Sequence, residues 1–310
     1  MPAPYPRPDP RPAAIDFPAD LPAVDPARHV LIAGPTASGK SALALAIARA
    51  QGGVVVNADA LQVWSCWRVL TARPSPRDEA AAPHVLYGHV DPGHGYSVGD
   101  WLAEVAALMA TGQRLIIAGG TGLYLSSLTR GLAVIPPVPA AIRARADAWL
   151  AAGGLPGMVR ALDERTRAGI DLRNPARVQR AWEVLEATGR GLADWQADTP
   201  APLMDAKAAT RLVLNTDRDA LAARIARRFD AMLAEGALDE VAAMLPRWQP
   251  AAQWTRAIGA AELAAHLRGE LTLAEARELA VIATRQYAKS QRIWFRNRMR
   301  DWDQLAVDVG

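Results

Sequence analysis

Gly34-Pro35-Thr36-Ala37-Ser38-Gly39-Lys40-Ser41 is the first constellation in the chain whose residue types and spacing imply chemistry. It follows the apolar run from His29 to Ala33 and precedes SALALAIARA, in which Leu43 and Ile47 recur at helical spacing. Strand, glycine-rich loop and helix, in that order, are the setting in which GxxxxGK[ST] binds phosphate. The glycines let the backbone wrap an anion, and successive N–H groups and the positive end of the helix dipole point at it. Lys40 adds a mobile positive charge, and the Ser41 hydroxyl can ligate Mg²⁺. Residues 34–41 are therefore predicted to cradle a pyrophosphate or polyphosphate group. The alternative is a strand-to-helix turn that holds no ligand.

The acids near that loop decide what it could do. A chain that hydrolyses a nucleoside triphosphate usually ends a neighbouring apolar strand in an acidic residue that fixes Mg²⁺ and positions water. Here the apolar run 115–118 ends in Gly119-Gly120-Thr121 instead, and the nearest strand-end acid is Asp59, after the run 54–57. Asp59 could face the phosphate site or cap the start of a following helix. Arg224 and Arg228, four residues apart, share one helix face. They could reach the phosphates, or belong to a solvated face beside a core stripe of Leu221, Ile225 and Phe229.

A second candidate surface lies near the C-terminus. Between Thr284 and Arg300 stand Arg285, Lys289, Arg292, Arg296, Arg298 and Arg300 with no acid, interleaved with Tyr287, Trp294 and Phe295. Basic side chains can neutralise RNA phosphates and aromatics can stack on bases. The other reading places the aromatics in the core and the charges in water, and both are expected to hold in part.

The elements that must position these residues alternate. Strand-like runs at 29–33, 54–57, 115–118 and 211–217 are separated by helical patterns, which implies an α/β fold: a P-loop NTPase-like parallel sheet flanked by helices, with ligands beyond the carboxyl ends of the strands. Residues 139–197 read as an all-helical insertion, built from AAIRARADAWLAAG, LPGMVRALDERTRAGI and NPARVQRAWEVLEATG, the last closing on Gly189 as a C-cap. Thr216 with Asp219, and Thr272 with Glu275, have capping-box spacing for two later helices. The expected organisation is thus a disordered proline-rich tail over 1–27, a catalytic core over 28–138 and 198–310, and the insertion over 139–197. The tail carries nine of the 23 prolines.

Composition sets limits. With 310 residues and 51% apolar content the chain can bury a core. The single cysteine, Cys66, forms no internal disulfide, and no Cys/His cluster offers zinc a site. No apolar run reaches the roughly 18 to 20 residues of a membrane span, and no secretory leader is evident, so a soluble cytoplasmic protein without a membrane partner is expected. The net charge of +3 does not by itself announce a nucleic-acid partner. Only Lys40, Lys207 and Lys289 are lysines among 35 basic residues, so each arginine must be judged by position.

GPTASGKSALA, NADALQVW with LTARP beyond it, GGTGLYLSSLTRGL, RVQRAWEVLEATGR, RAIGAAEL and ATRQYAKSQRIWFRN together resemble the bacterial tRNA dimethylallyltransferase family, also called tRNA isopentenyltransferases. The resemblance runs in order from about residue 29 to residue 300. It implies transfer of a dimethylallyl group from dimethylallyl pyrophosphate to N6 of adenosine 37, in the anticodon stem-loop of tRNAs that read codons beginning with U. Mg²⁺ is the implied cofactor and a monomer the expected state. The resemblance gives Asp59 the role of base toward the N6–H and brings Arg228 to the pyrophosphate, with Lys40 and Ser41 completing the catalytic set and Arg224 beside them. It also implies that Asp59, Ala60, Leu61, Gln62, Thr121, Arg143, Arg177, Val178, Gln179, Arg180 and Arg256 face tRNA, and the basic run of the last helix adds Lys289 and Arg292 as candidates.

The chain departs from that family's pattern at four places. Ala60 stands where serine is common, Trp64 where tyrosine is frequent, Ala176 where glutamine precedes RVQR, and Ser290 where arginine is usual. None removes a proposed catalytic group; tRNA preference is the property they touch. Two rival readings remain: a small-molecule phosphotransferase that uses the loop for ATP, the nucleotide such loops are labelled for, and a non-catalytic RNA-binding switch gated by nucleotide.

Overall fold

In the computed structural model the described residues are 24–308. They divide into two compact units, residues 24–129 with 204–308, and residues 130–203.

The first unit is built on six parallel strands: β1 His29–Ala33, β2 Val54–Asn57, β3 His84–Val85, β4 Leu115–Gly119, β5 Ala209–Asn215 and β6 Asp303–Ala306, in the order β3-β2-β4-β1-β5-β6. Because successive side chains of a strand point to opposite faces, alternate residues separate into two cores. Leu31, Ala33, Val54, Val56, Leu115 and Ile117 pack on one face with Trp101, Val105 and Leu128. Val30, Ile32, Val55, Ile116, Leu212 and Leu214 pack on the other with Leu43 and Ile47. A parallel sheet covered on both faces explains why these strands read as unbroken apolar runs.

Among the described residues four helices lie before the insertion: α1 Lys40–Gln51, α2 Pro76–Ala81, α3 Val98–Ala110 and α4 Gly122–Arg130. The insertion holds five: α5 Ala140–Ala151, α6 Leu155–Ala161, α7 Glu164–Gly169, α8 Pro175–Thr188 and α9 Leu192–Ala197. Four more follow: α10 Arg218–Ala234, α11 Ala237–Met244, α12 Ala260–Leu267 and α13 Leu273–Arg298. The last four share a third core with Trp64, Trp67 and Leu70.

Several expectations need correction in detail. The helical stretch 139–197 lies within the compact unit 130–203, and its five helices fall inside 140–197. The stretch 155–170, read as one helix, is two, because Asp163 interrupts it and caps α7 by accepting from the Thr166 N–H at 2.8 Å. Helix α10 is capped not by Thr216 but by Asp217, whose Oδ1 accepts from Asp219 N–H at 2.8 Å and Ala220 N–H at 2.9 Å. Thr216 is buried instead. Thr272 and Glu275 do form the capping box of α13, and Gly189, at φ 67°, closes α8. The tail expected over 1–27 has 1–23 outside the described residues. At its other end Val24 is buried in the core that holds Val30 and Ile32, so apolar burial draws that end of the segment into the fold. Among the described residues no helix is long and apolar enough to cross a membrane.

Candidate active site

Strand register brings the chemistry together. Ala33 pairs with Gly119, and Asn57 pairs with Ala118. The loop after β1, the segment after β2 and the turn after β4 therefore leave the sheet at one level, at its carboxyl edge. Close packing there explains the glycines after β4. A Cβ on Gly119 would fall on the Ala58 carbonyl, and one on Gly120 on the Gln291 amide. At Gly122 it would meet the Trp294 ring.

The loop 34–39 has left-handed backbone at Ala37 (φ 64°) and Gly39 (φ 93°). Switching hand within a few residues curls the chain into a concavity lined by N–H groups. The non-glycine αL residue costs on the order of 1–3 kcal/mol, which the surrounding fold must offset. Ser38 is fully buried and its Oγ has no hydrogen-bond partner. The Lys40 ammonium donates to the Pro35 carbonyl at 2.7 Å, across the mouth of the loop.

A cavity of about 300 Å³ opens on this loop. Thr36, Ala37, Gly39, Lys40 and Ser41 line one side, Asp59, Leu61 and Gln62 another, and Arg224, Arg228 and Tyr287 close it from α10 and α13. Gly34, Pro35 and Ser38 shape the loop from behind and do not line the cavity. Both arginines thus turn inward, while Leu221, Ile225 and Phe229 form the core stripe beside them. The reading of RIARRF as a solvated basic face does not hold at positions 224 and 228, because packing of that stripe turns them to the cavity.

The charges crowd one another. Burial holds the Lys40 ammonium down to about 7, against the pull of Asp59 and with a further push from Arg228. Burial likewise lowers Arg228 to about 10, with Arg224 adding to the shift and Asp59 opposing it. Two cations in an enclosed space are destabilised by burial and by each other, which is the condition an anion relieves.

Asp59 begins no helix. Its Oδ1 accepts from the Leu61 N–H at 2.9 Å within a series of turns, so the capping alternative is replaced by a tight Asx turn. Ala60 N–H donates to Thr121 Oγ1 at 2.9 Å, joining this turn to the one after β4. Gln62 donates to the carbonyls of Thr71 (2.8 Å) and Ala72 (3.0 Å), which line the same cavity.

The remaining tRNA-facing candidates are distributed more widely. Lys289 and Arg292 line a separate groove with Arg218, Arg285, Arg296 and Arg300. Arg256 is exposed in the short turn Trp254–Arg256 and does not line the cavity. In the insertion unit Arg143 and Arg177 are exposed. Gln179 donates to Asp147 (2.6 Å) and Glu183 (3.0 Å), and Arg180 pairs with Glu183 at 3.8 Å. Val178 is a correction: it is fully buried with Met158, Leu162 and Trp182, so its side chain holds the unit together and cannot touch RNA.

Sequence reasoning missed two residues, Asn57 and Gln291, and named a third, Tyr287, only as an aromatic that could stack on bases or pack in the core. Asn57 is buried at the end of β2 and its side chain bonds the backbone of Asp59. Gln291 is buried on α13 between the two loops. Tyr287 lines the cavity, and burial together with the nearby Asp59 raises its hydroxyl above the usual range. A polar residue closing an unbroken apolar strand was the available signal for Asn57. Gln291 gives no local signal, because its partners Thr36 and Gly120 are distant in sequence. As expected, Phe295 belongs to the core.

The IPP transferase family matches residues 62–298 of the chain, and the isopentenyl transferase family matches residues 27–85. The tRNA dimethylallyltransferase of Paracoccus denitrificans is 68% identical over 290 residues, spanning 92% of this chain and 96% of the relative. That of Dinoroseobacter shibae is 64% identical over 286 residues, spanning 91% and 96%. Among solved structures, the tRNA isopentenylpyrophosphate transferase of Bacillus halodurans aligns with TM-score 0.64 at 29% identity, over 91% of this chain and 90% of that one. A eukaryotic dimethylallyltransferase acting on tRNA has the same fold, with TM-score 0.75 at 24% identity over 91% and 73%. With relatives of this identity matched along nearly their whole length, the chain belongs to the IPP transferase family.

Proposed function

We propose that the chain transfers the dimethylallyl group of dimethylallyl pyrophosphate to N6 of adenosine 37 in tRNAs that read codons beginning with U. The observation that carries this reading is the single cavity in which a phosphate loop, Lys40, Arg224 and Arg228 stand opposite Asp59. One wall is cationic and suits a departing pyrophosphate; the other offers a carboxylate to an amine.

The N6 nitrogen forms a bond to the allylic carbon, and the bond from that carbon to the pyrophosphate oxygen breaks with its electron pair leaving on oxygen. Negative charge grows on the pyrophosphate as this happens. Loop N–H groups, Lys40 and the two arginines are placed to stabilise it more in the transition state than before. An exocyclic adenine amine is a weak nucleophile, so Asp59 accepts the N6 proton as the C–N bond forms. The base must leave its stack in the anticodon loop to enter the cavity, where Leu61 and Gln62 line the wall beside Asp59 and the Ala60–Thr121 hydrogen bond lies next to that wall. Lys289, Arg292, Arg256, Arg143, Arg177, Gln179 and Arg180 are assigned to RNA phosphates or bases farther out.

The donor set fits Mg²⁺. Ser41 places a hydroxyl at the cavity beside the loop, and pyrophosphate adds further hard oxygens, the donor type Mg²⁺ takes. Bound there, Mg²⁺ would neutralise charge on the leaving group. No strand-end acid is needed after β4, since no water attacks a terminal phosphate.

Incubation of the protein with bulk tRNA and either labelled dimethylallyl pyrophosphate or labelled ATP tests the reading. Label should move to tRNA from the prenyl donor. Phosphoryl transfer from ATP without prenylation would favour a kinase, and nucleotide-dependent RNA affinity without covalent change would favour a switch.

A further inference from the structure

Tyr287 and Gln291 stand one turn apart on α13 and so face the same way. Gln291 is buried, and its amide is used at both ends. The side-chain oxygen accepts from the Thr36 backbone N–H at 2.8 Å, and the nitrogen donates to the Gly120 carbonyl at 2.9 Å. One side chain therefore bridges the phosphate loop after β1 and the turn after β4. The Tyr287 hydroxyl is close enough to Gln291 and Thr121 for both to influence its titration. Thr121 in turn accepts from Ala60, next to Asp59.

The bridge has two consequences for the cavity. The Thr36 N–H is taken by Gln291 and so is not a donor to a bound anion; its role is to hold the loop in one shape. The turn after β4 is held from the other end of the same amide, and that turn supports Asp59 through Thr121 and Ala60. The amide thus adds a direct tie between the leaving-group loop and the turn beside the base, on top of the strand pairing and the Asn57 contacts that anchor Asp59. Small misplacements of reacting groups are costly to rate, which makes such a brace consequential.

We propose that Gln291 is a positioning residue for the transfer reaction, bracing the phosphate loop through Thr36 against the Gly120 turn so that the pyrophosphate cradle and Asp59 stay in register. This rests on the reading of the cavity given above. Arg285, Lys289 and Arg296 lie on other faces of α13 and are exposed, so the brace is separable from RNA contact at those positions.

The test replaces the amide by a side chain of similar volume, Gln291→Met, and follows three readouts in the full chain. These are kcat with KM for dimethylallyl pyrophosphate and for tRNA, calorimetric Kd for magnesium pyrophosphate, and amide exchange at Thr36. The KM for the prenyl donor and the pyrophosphate Kd are expected to rise together by about tenfold, with kcat lowered and KM for tRNA within about twofold of wild type. Exchange at Thr36 should accelerate while Leu31 and Ile32 in β1 keep their protection, a split that general loss of stability does not produce. A folded variant with unchanged donor KM and pyrophosphate Kd overturns the proposal. Should the variant fail to fold, exchange in the ligand-free wild type decides: a Thr36 amide as fast as an open chain overturns the brace. A wild-type chain that gives no heat with magnesium pyrophosphate overturns the cavity reading itself, and is recognised before any substitution is made.

Discussion

Asn57 grips the backbone of Asp59 from two sides: its side-chain oxygen accepts from the Asp59 N–H at 2.8 Å, and its amide donates to the Asp59 carbonyl at 3.0 Å. The same amide reaches the Leu86 carbonyl at 2.9 Å, and the Asn57 carbonyl accepts from the Trp101 indole at 2.7 Å. The acid therefore stands on a buried polar network anchored to β2, with little freedom to turn away from the cavity. Satisfied buried networks of this kind rigidify what they hold.

Asp59→Asn separates chemistry from architecture. Asparagine still offers the oxygen that accepts from Leu61, so the turn persists, but it cannot take the N6 proton. We expect kcat to fall by about 10²- to 10⁴-fold while the Kd for magnesium pyrophosphate stays nearly unchanged. Single-turnover prenylation and calorimetry measure the two. Wild-type kcat in this variant would remove Asp59 from the mechanism.

Arg228 is the more enclosed of the two cavity arginines, held down to about 10. Lysine preserves the charge but not the planar fork that binds two phosphate oxygens at once. Arg228→Lys should lower kcat/KM for the prenyl donor by about tenfold or more, with KM for tRNA little altered. Equal kinetics would mean that only net charge matters at this position.

Lys40 links binding to pH. Its ammonium is held down to about 7, chiefly by burial, so the free site is largely neutral at this residue above that pH. An arriving anion restores the charge. At pH 8.5 wild type should take up more protons on binding magnesium pyrophosphate than Lys40→Met does, read from calorimetric heats in buffers of different ionisation enthalpy. The stability consequence has a definite sign. An unfolded lysine keeps its proton to about pH 10.4. Between pH 7 and that value the unfolded state binds more protons, so the ligand-free chain gains stability as pH rises. The Tm of wild type relative to Lys40→Met should climb across that window; a relative fall contradicts the assignment.

Gly119→Ala tests the close approach after β4. The added methyl falls on the carbonyl of Ala58, a backbone atom with no rotamer to change. Overpacking of this kind costs about 1–3 kcal/mol. Denaturant unfolding should report that loss, and the displaced Ala58 should carry Asp59 with it, lowering kcat in the surviving folded protein. A variant of wild-type stability would show that the strands can separate at no cost.

The amino-acid sequence by itself determined the parts whose physics is local. Residues 34–41 dictate a phosphate loop because glycine freedom, the following helix and Lys40 act within eight positions. The buried strands β1, β2, β4 and β5 are legible as apolar runs, and the start of α13 as Thr272 with Glu275. Tertiary structure decided the rest. β3 has two residues and β6 alternates weakly at the sheet edge, so pairing rather than composition makes them strands. The choice of Asp217 over Thr216 as cap, and the burial of Val178, depend on which face of each helix meets a neighbour. Gln291 reaches Thr36 across 255 positions. Such a contact is written in no local pattern; it exists because strand register and helix packing bring two distant segments to the same edge, and only there does a lone glutamine become part of a site.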